Sequence, residues 1–497
     1  MLVDGAILAE QVVEYLTPRP LEIRIIQKIT VTGHIAMKTR FAVLPLLPLL
    51  VLPDTGARAQ PAMETFRAQW QMSCIIRRDK FDYVLPTAMR RNGVDMWIVI
   101  DHGRGTEPLM LDLGIESAYG QGIYIFYDSG EGRVERYTLG GPGSSDLSSL
   151  CGAYDPLPPI IAGPDGGELS QLQSIVFERD PQRIALNIVP DNIQGEGVHV
   201  ADGLSHKDYN VLVRELGERY VERFVSSLDL LTDFHGEHVA SEIVEMSKVG
   251  DITRRGLERA LSNEVIVPGK TTYNDVARWL EEHREAMGLR RTWFPGFRFV
   301  EPGSTGYNAL SGNGLERVIQ RGDLIYVDWG LKRNNFATDI KRTAYILREG
   351  EAEPPADLLR AWDAAMAVRE IIRSHVRVGR TGREQLDELK QLVRDAGFVY
   401  TELEAASDVP GVEVNIGMHG MGNLAHDVVA GVFELWPELT AYEVRPNAFL
   451  SFEYRIFSPS DDQPDYKIHI SIEENVMVTE RGIEWLHPPQ DRILLVR

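Results

Sequence analysis

Apolar and polar positions change period along this chain, and the change marks two regions. Over residues 60–230 short apolar runs alternate with helical stretches. Segments 96–100, 122–127 and 183–188 have strand composition, and 209–217 is an amphipathic helix entered from a loop at 201–206. The Gly-rich segment 139–145 opens no helix with a Lys, so it reads as a plain loop and not as a phosphate cradle. From 231 to 497 helical periodicity appears near 237–262, 272–288, 356–378 and 382–397, with strand pairs between and after. This predicts an α+β domain over 231–497, preceded by a smaller α/β domain over 60–230.

The strand pairs carry the chemistry. Segments 324–331 and 335–347 read as one hairpin. A turn centred between Arg333 and Asn334 sets Asp328 directly opposite Asp339 on one face, about 5 Å apart at Cβ. Like charges so placed repel unless a cation lies between them. Segments 448–457 and 467–478 flank a turn-rich stretch, and a symmetric register about Gln463 sets Glu453 opposite Glu473. Between the hairpins, the Gly-punctuated run 417–426 offers His419 and His426. A single acidic residue in a hairpin is ordinarily solvated, and a His in a Gly-rich loop is ordinarily structural. Two register-matched acidic pairs in apolar strands are different, because charges in such surroundings are rarely left unpaired. Four carboxylates and one imidazole suit a binuclear site for hard or borderline divalent ions, with manganese favoured and cobalt or zinc next.

The order Asp328, Asp339, His419, Glu453, Glu473 resembles the M24 metallopeptidases, the family of Xaa-Pro aminopeptidase, prolidase and methionine aminopeptidase. The matching segments are 322–330, 338–343, His419 to Gly422 with His426 seven residues past the first, and 472–482; upstream, 241–250 is similar to the family's entry helix. The likeness covers roughly 230–490, and 60–230 resembles, with weaker motifs, a creatinase-type N-terminal domain. It implies a pita-bread catalytic domain and two divalent ions. Asp328 would chelate one ion, His419 and Glu453 would hold the other, and Asp339 and Glu473 would bridge both. Glu474 would support the ligands from outside, with Arg342 steering Asp339. His426 would contact the substrate carbonyl or move a proton. The implied activity is hydrolysis of an N-terminal amide bond, of Xaa-Pro type, on a peptide or small amide, by a dimer.

The substrate shell departs from the family pattern. No His occurs between His283 and His375, Asn415 stands where relatives of the aminopeptidase P type carry a His, and Ser471 stands where they carry an Arg. Glu453 is followed by Tyr-Arg-Ile in place of the usual Pro-Gly. Other amides, phosphoesters, or a binding module that kept the fold stay open as alternatives.

Charge and length narrow the partners. The 497 residues carry a formal charge of −21 with no long basic run, which disfavours nucleic acid and anionic membrane. Met37-Lys-Thr-Arg40, an apolar core over 41–52 and Ala57-Arg-Ala59 before Gln60 form a secretory signal too short to span a bilayer. Met37 then reads as the start, residues 1–36 as an upstream extension, and the mature protein as periplasmic or secreted. In that oxidising setting the only two cysteines, Cys74 and Cys151, are free to pair.

Overall fold

The computed structural model describes residues 59–497, apart from 102–108, 115–121, 141–150, 158–166, 194, 301–307, 311, 403 and 462–465. The expected signal segment lies outside the described residues except for Ala59, as does most of the 139–145 loop. The described residues fall within one compact unit, Arg58–Arg497.

After helix α1 (Ala59–Asp79), five strands form the N-terminal sheet: β1 (Met96–Asp101), β2 (Gly122–Tyr127), β3 (Glu135–Leu139), β4 (Ile184–Leu186) and β5 (Phe224–Ser226). Their order is β3-β2-β1-β4-β5, with the hairpin members antiparallel and β1, β4 and β5 parallel. Parallel neighbours need crossovers. Helices α2 (Glu168–Arg179) and α3 (His206–Leu216) supply them, the latter capped by the Ser205 hydroxyl accepting from the Asp208 amide. Both faces of this sheet are covered. Met96, Ile98 and Ile100 belong to one buried cluster, while Trp97 and Val99 belong to another.

That second cluster crosses the expected domain boundary. Phe81, Trp97, Phe126 and Phe234 pack in one core with Val428, Phe433 and Leu439, so the N-terminal sheet buttresses the loop that follows His426. Cys74 on α1 is disulfide-bonded to Cys151, with Cα atoms 5.1 Å apart.

In the second region, α4 (Ala240–Ala260) and α5 (Tyr273–Ala286) pack against one sheet face, and α6 (Ala356–His375) and α7 (Gly382–Asp395) against another. Helices α5 and α7 start where the sequence signals them, at Thr272 and Thr381, each in a reciprocal cap with the acidic residue three positions on. Strand β6 (Gly296–Val300) flanks the first acidic hairpin, which comprises β7 (Leu324–Trp329), β8 (Leu331–Arg333), β9 (Phe336–Ala337) and β10 (Ile340–Ile346). Here β7 lies between β6 and β10. Strand β11 (Glu413–Met418) then pairs with the second acidic ribbon, made of β12 (Ala448–Ser451), β13 (Tyr454–Pro459), β14 (Lys467–Ile472) and β15 (Asn475–Thr479).

Candidate metal centre

The two hairpins reach the centre by different registers. The first turns at Asn334-Asn335, with Arg333 paired to Phe336 and Asn334 in the left-handed region at φ 51°. Its register is therefore two residues away from the expected one, and Asp328 pairs with Lys341, not with Asp339. A slip of two keeps every side chain on its face. Asp339 thus remains on the face of Asp328 as a diagonal neighbour, and the two carboxylates still converge. The second ribbon has the expected register on both sides of a break: Ser451 pairs with Asn475 and Tyr454 with Ile472. Glu453 and Glu473 sit at the break, where each strand leaves one sheet for the other.

His419 comes from the end of β11, and Gly420 explains the glycine beside it. A Cβ there would fall 2.1 Å from the Val429 side chain. The imidazole Nδ1 lies 3.4 Å from the Gly420 carbonyl, which turns Nε2 toward the carboxylates. Nε2 is 3.3 Å from Glu473 Oε1 and 3.7 Å from Asp339 Oδ2. The His426 ring stands perpendicular to that of His419, centroids 4.2 Å apart, with its Nε2 3.9 Å from the same Asp339 oxygen. Three groups have ligand atoms within 4.8 Å of one another: Asp339, His419 and His426; His419, Glu453 and Glu473; and Asp328, Asp339 and Glu473. All five expected ligands are thus brought together, and His426 joins them.

Two cations that the sequence reading did not weigh stand in the same cluster. The Lys341 ammonium, 6% exposed, contacts Glu453, lies 2.8 Å from Glu473 Oε2 and 3.6 Å from Asp328 Oδ2. Burial disfavours its charge, but the surrounding carboxylates outweigh burial and hold its pKa above the usual lysine range. Arg455 donates to Glu453 Oε1 at 2.8 Å and to Asn415 Oδ1 at 3.0 Å, and pairs across the strands with Ser471. The guanidinium absent at position 471 is therefore supplied one strand away.

Arg342, expected to steer Asp339, does something else. Side chains alternate along β10, so Arg342 points away from the face that holds Asp339 and Lys341. It binds Glu474 instead, with both carboxylate oxygens 3.0 Å from one guanidinium nitrogen, while the Gln490 amide donates to the same carboxylate. This buried pair braces the strand carrying Glu473 from behind.

Burial, with Glu473 and Glu453 close and Lys341 opposing, pushes the Asp328 carboxyl up to about 6. Burial and the neighbouring Glu473 and Asp328 raise Asp339 well above the ordinary range. Asp328 Oδ1 and Asp339 Oδ1 are buried with no hydrogen-bond partner. Unpartnered buried carboxylate oxygens, beside an imidazole nitrogen turned toward them, are the surroundings a divalent cation fits. The cluster floors a cavity of about 250 Å³ whose walls include Trp293, Phe433, Leu435 and Trp436.

Residues 244–480 match the model of metallopeptidase family M24. Over that span the chain is similar to this family. The chain also aligns with an Xaa-Pro dipeptidase of Pyrococcus furiosus, 20% identical over 279 residues, 55% of this chain and 69% of that protein. The X-Pro aminopeptidase of Thermotoga maritima superposes with a TM-score of 0.57 at 16% identity, covering 82% of this chain and 100% of the other. An Xaa-Pro dipeptidase from Bacillus anthracis gives 0.56 at 16%, covering 85% and 99%. At these identities the superpositions speak to the fold. It is the pita-bread fold with an N-terminal domain ahead of it, as the resemblance implied.

Proposed function

We propose that this protein is a metal-dependent hydrolase that removes the N-terminal residue from short peptides. The observation that carries the reading is the buried cluster of Asp328, Asp339, His419, Glu453 and Glu473 at the floor of an aromatic-walled cavity in an M24 domain. A cation bound there supplies Lewis acidity toward a carbonyl and lowers the pKa of a water.

The chain's own residues do the rest. The apolar walls receive a side chain and keep bulk water from the scissile amide. The acidic lining favours a substrate that arrives with a protonated amine, as a peptide N-terminus does. Ser451, donating to Glu473 Oε1 at 2.5 Å, and Arg455, donating to Glu453, hold the glutamates in their rotamers before any ligand arrives. The similarity to an Xaa-Pro dipeptidase and an X-Pro aminopeptidase supports a peptide with proline in second position as the first substrate to test. The Asn415, Arg455 and Ser471 arrangement favours a second reading, in which a non-peptide amide occupies the same cavity.

The deciding experiment is hydrolysis of a dipeptide and Xaa-Pro-peptide panel by the metal-loaded protein, with chelated protein and Glu473→Ala as controls. Release of an N-terminal residue that both controls abolish is the expected result. No turnover of any amide under Mn²⁺, Co²⁺ or Zn²⁺ would sink the proposal. Export is inferred as well, supported by the Cys74–Cys151 bond, which persists in oxidising compartments. Among the described residues no helix is long and apolar enough to cross a membrane. N-terminal sequencing of secreted protein is expected to begin near Gln60, and mature protein that retains residues 1–36 would count against it.

A further inference from the structure

We propose that the site holds one divalent cation, bound by Asp339, His419 and His426, and that the Lys341 ammonium fills the place of a second. The inference rests on the metal-dependent reading and refines it.

Of the three groups able to hold an ion, two draw on carboxylates that Lys341 already engages: Glu453 and Glu473 in one, Asp328 and Glu473 in the other. The group of Asp339, His419 and His426 contains none of them. Asp339, like Asp328, has a buried Oδ1 without a hydrogen-bond partner, but only the Oδ2 of Asp339 faces both imidazole Nε2 atoms, at 3.7 and 3.9 Å.

Lys341 is not placed to swing away. Its Cα is fixed opposite Asp328 by the β7–β10 ladder, and its amide donates to the Glu473 carbonyl at 3.1 Å. Moving the ammonium out would strip the fully buried Glu473 and the part-buried Asp328 of their ion pair and leave Glu453 with Arg455 alone, which is strongly unfavourable.

Charge balance gives the same number. Five carboxylates line the cavity (the four above and Glu404), facing three cations, Arg298, Lys341 and Arg455. Two negative charges remain, and one divalent ion neutralises them, whereas two ions would leave the cluster positive by two. A set with two imidazoles and one carboxylate is also softer than a four-carboxylate cage, which favours Zn²⁺ or Co²⁺ over Mn²⁺.

The test is metal stoichiometry and affinity on the full chain, loaded separately with Zn²⁺ and Mn²⁺, desalted, and measured by elemental analysis and chelator competition. One Zn²⁺ per wild-type chain is expected. His426→Ala removes a ligand and should weaken that ion by more than the roughly tenfold to hundredfold that loss of a ligand's supporting neighbour costs. Asp328→Asn and Glu453→Gln should weaken it less than His426→Ala does, since they alter carboxylates engaged by Lys341 and not the proposed ligands. Lys341→Thr should admit a second ion. Two ions in the wild type, undiminished affinity in His426→Ala, or a single ion in well-folded Lys341→Thr would each overturn the inference while leaving a metallohydrolase standing. No bound ion at all would overturn the inference and the metal-dependent function together. If Lys341→Thr fails to fold, the wild-type and His426→Ala measurements decide alone.

Discussion

His487 shows at the residue scale how burial sets a charge state beside the centre. Its Nε2 accepts from the Asn475 amide at 3.2 Å, its Nδ1 lies 3.3 Å from the Pro488 carbonyl, and its ring packs on Gly250 of α4. An imidazole used as acceptor on one nitrogen and donor on the other is neutral. Burial, aided by Arg342, pushes its pKa down to about 3. Between that value and the ordinary 6.5 the unfolded chain binds a proton that the folded chain refuses, so stability falls as pH falls through this window. By pH 4.5 this one group should cost roughly 2–3 kcal/mol relative to pH 7. His487→Gln, which keeps an acceptor but cannot titrate, should lose that much less over the same interval, read as the difference in urea unfolding midpoints. Equal acid sensitivity of the two proteins would contradict this account.

At the scale of elements, the first hairpin depends on its turn. Asn334 takes a left-handed conformation that Asn tolerates better than other non-glycine residues, and its side chain donates to Glu245 at 2.6 Å. Asn334→Val should cost roughly 1–3 kcal/mol by thermal denaturation, through backbone strain and the lost hydrogen bond. The metal affinity of that variant should fall too, because the register that brings Asp339 beside Asp328 starts at this turn. Both acidic hairpins were legible as alternating strands, and the second was legible to the residue because its turn is symmetric about one position. The first was misplaced by two because either Arg333-Asn334 or Asn334-Asn335 makes an acceptable turn, and only three-dimensional packing chooses between them. The face assignment survived because two is the period of a strand. Lys341 and Arg455 were missed for a different reason. Both lie in strands as residues two positions from a ligand, where periodicity puts them on the ligand face, but reading ligands alone leaves their neighbours' charges uncounted. Pairing Arg455 with Ser471 through the register about Gln463 was the signal that would have found the displaced guanidinium.

Over the whole molecule, the Cys74–Cys151 bond ties the first described helix to a point 77 residues on. Closing so long a loop removes unfolded-state entropy, so reduction under native conditions should lower stability by about 2–4 kcal/mol, seen as a lower melting temperature in dithiothreitol than without it. An unchanged melting temperature would show that the bond adds nothing to the fold. Lys341 bears on how the protein is made. In a binuclear site of bare carboxylates the apo form must bury mutually repelling charges, so folding waits on metal. Here an internal ammonium is delivered by the chain itself, and the pocket is partly neutralised the moment β7 and β10 pair. Melting with and without EDTA should differ by only a few degrees, whereas apo Lys341→Thr should be destabilised by about 3–5 kcal/mol, the cost of breaking a buried ion pair. A chain so built can fold before any cation reaches the cluster, and its survival does not wait on the supply of metal.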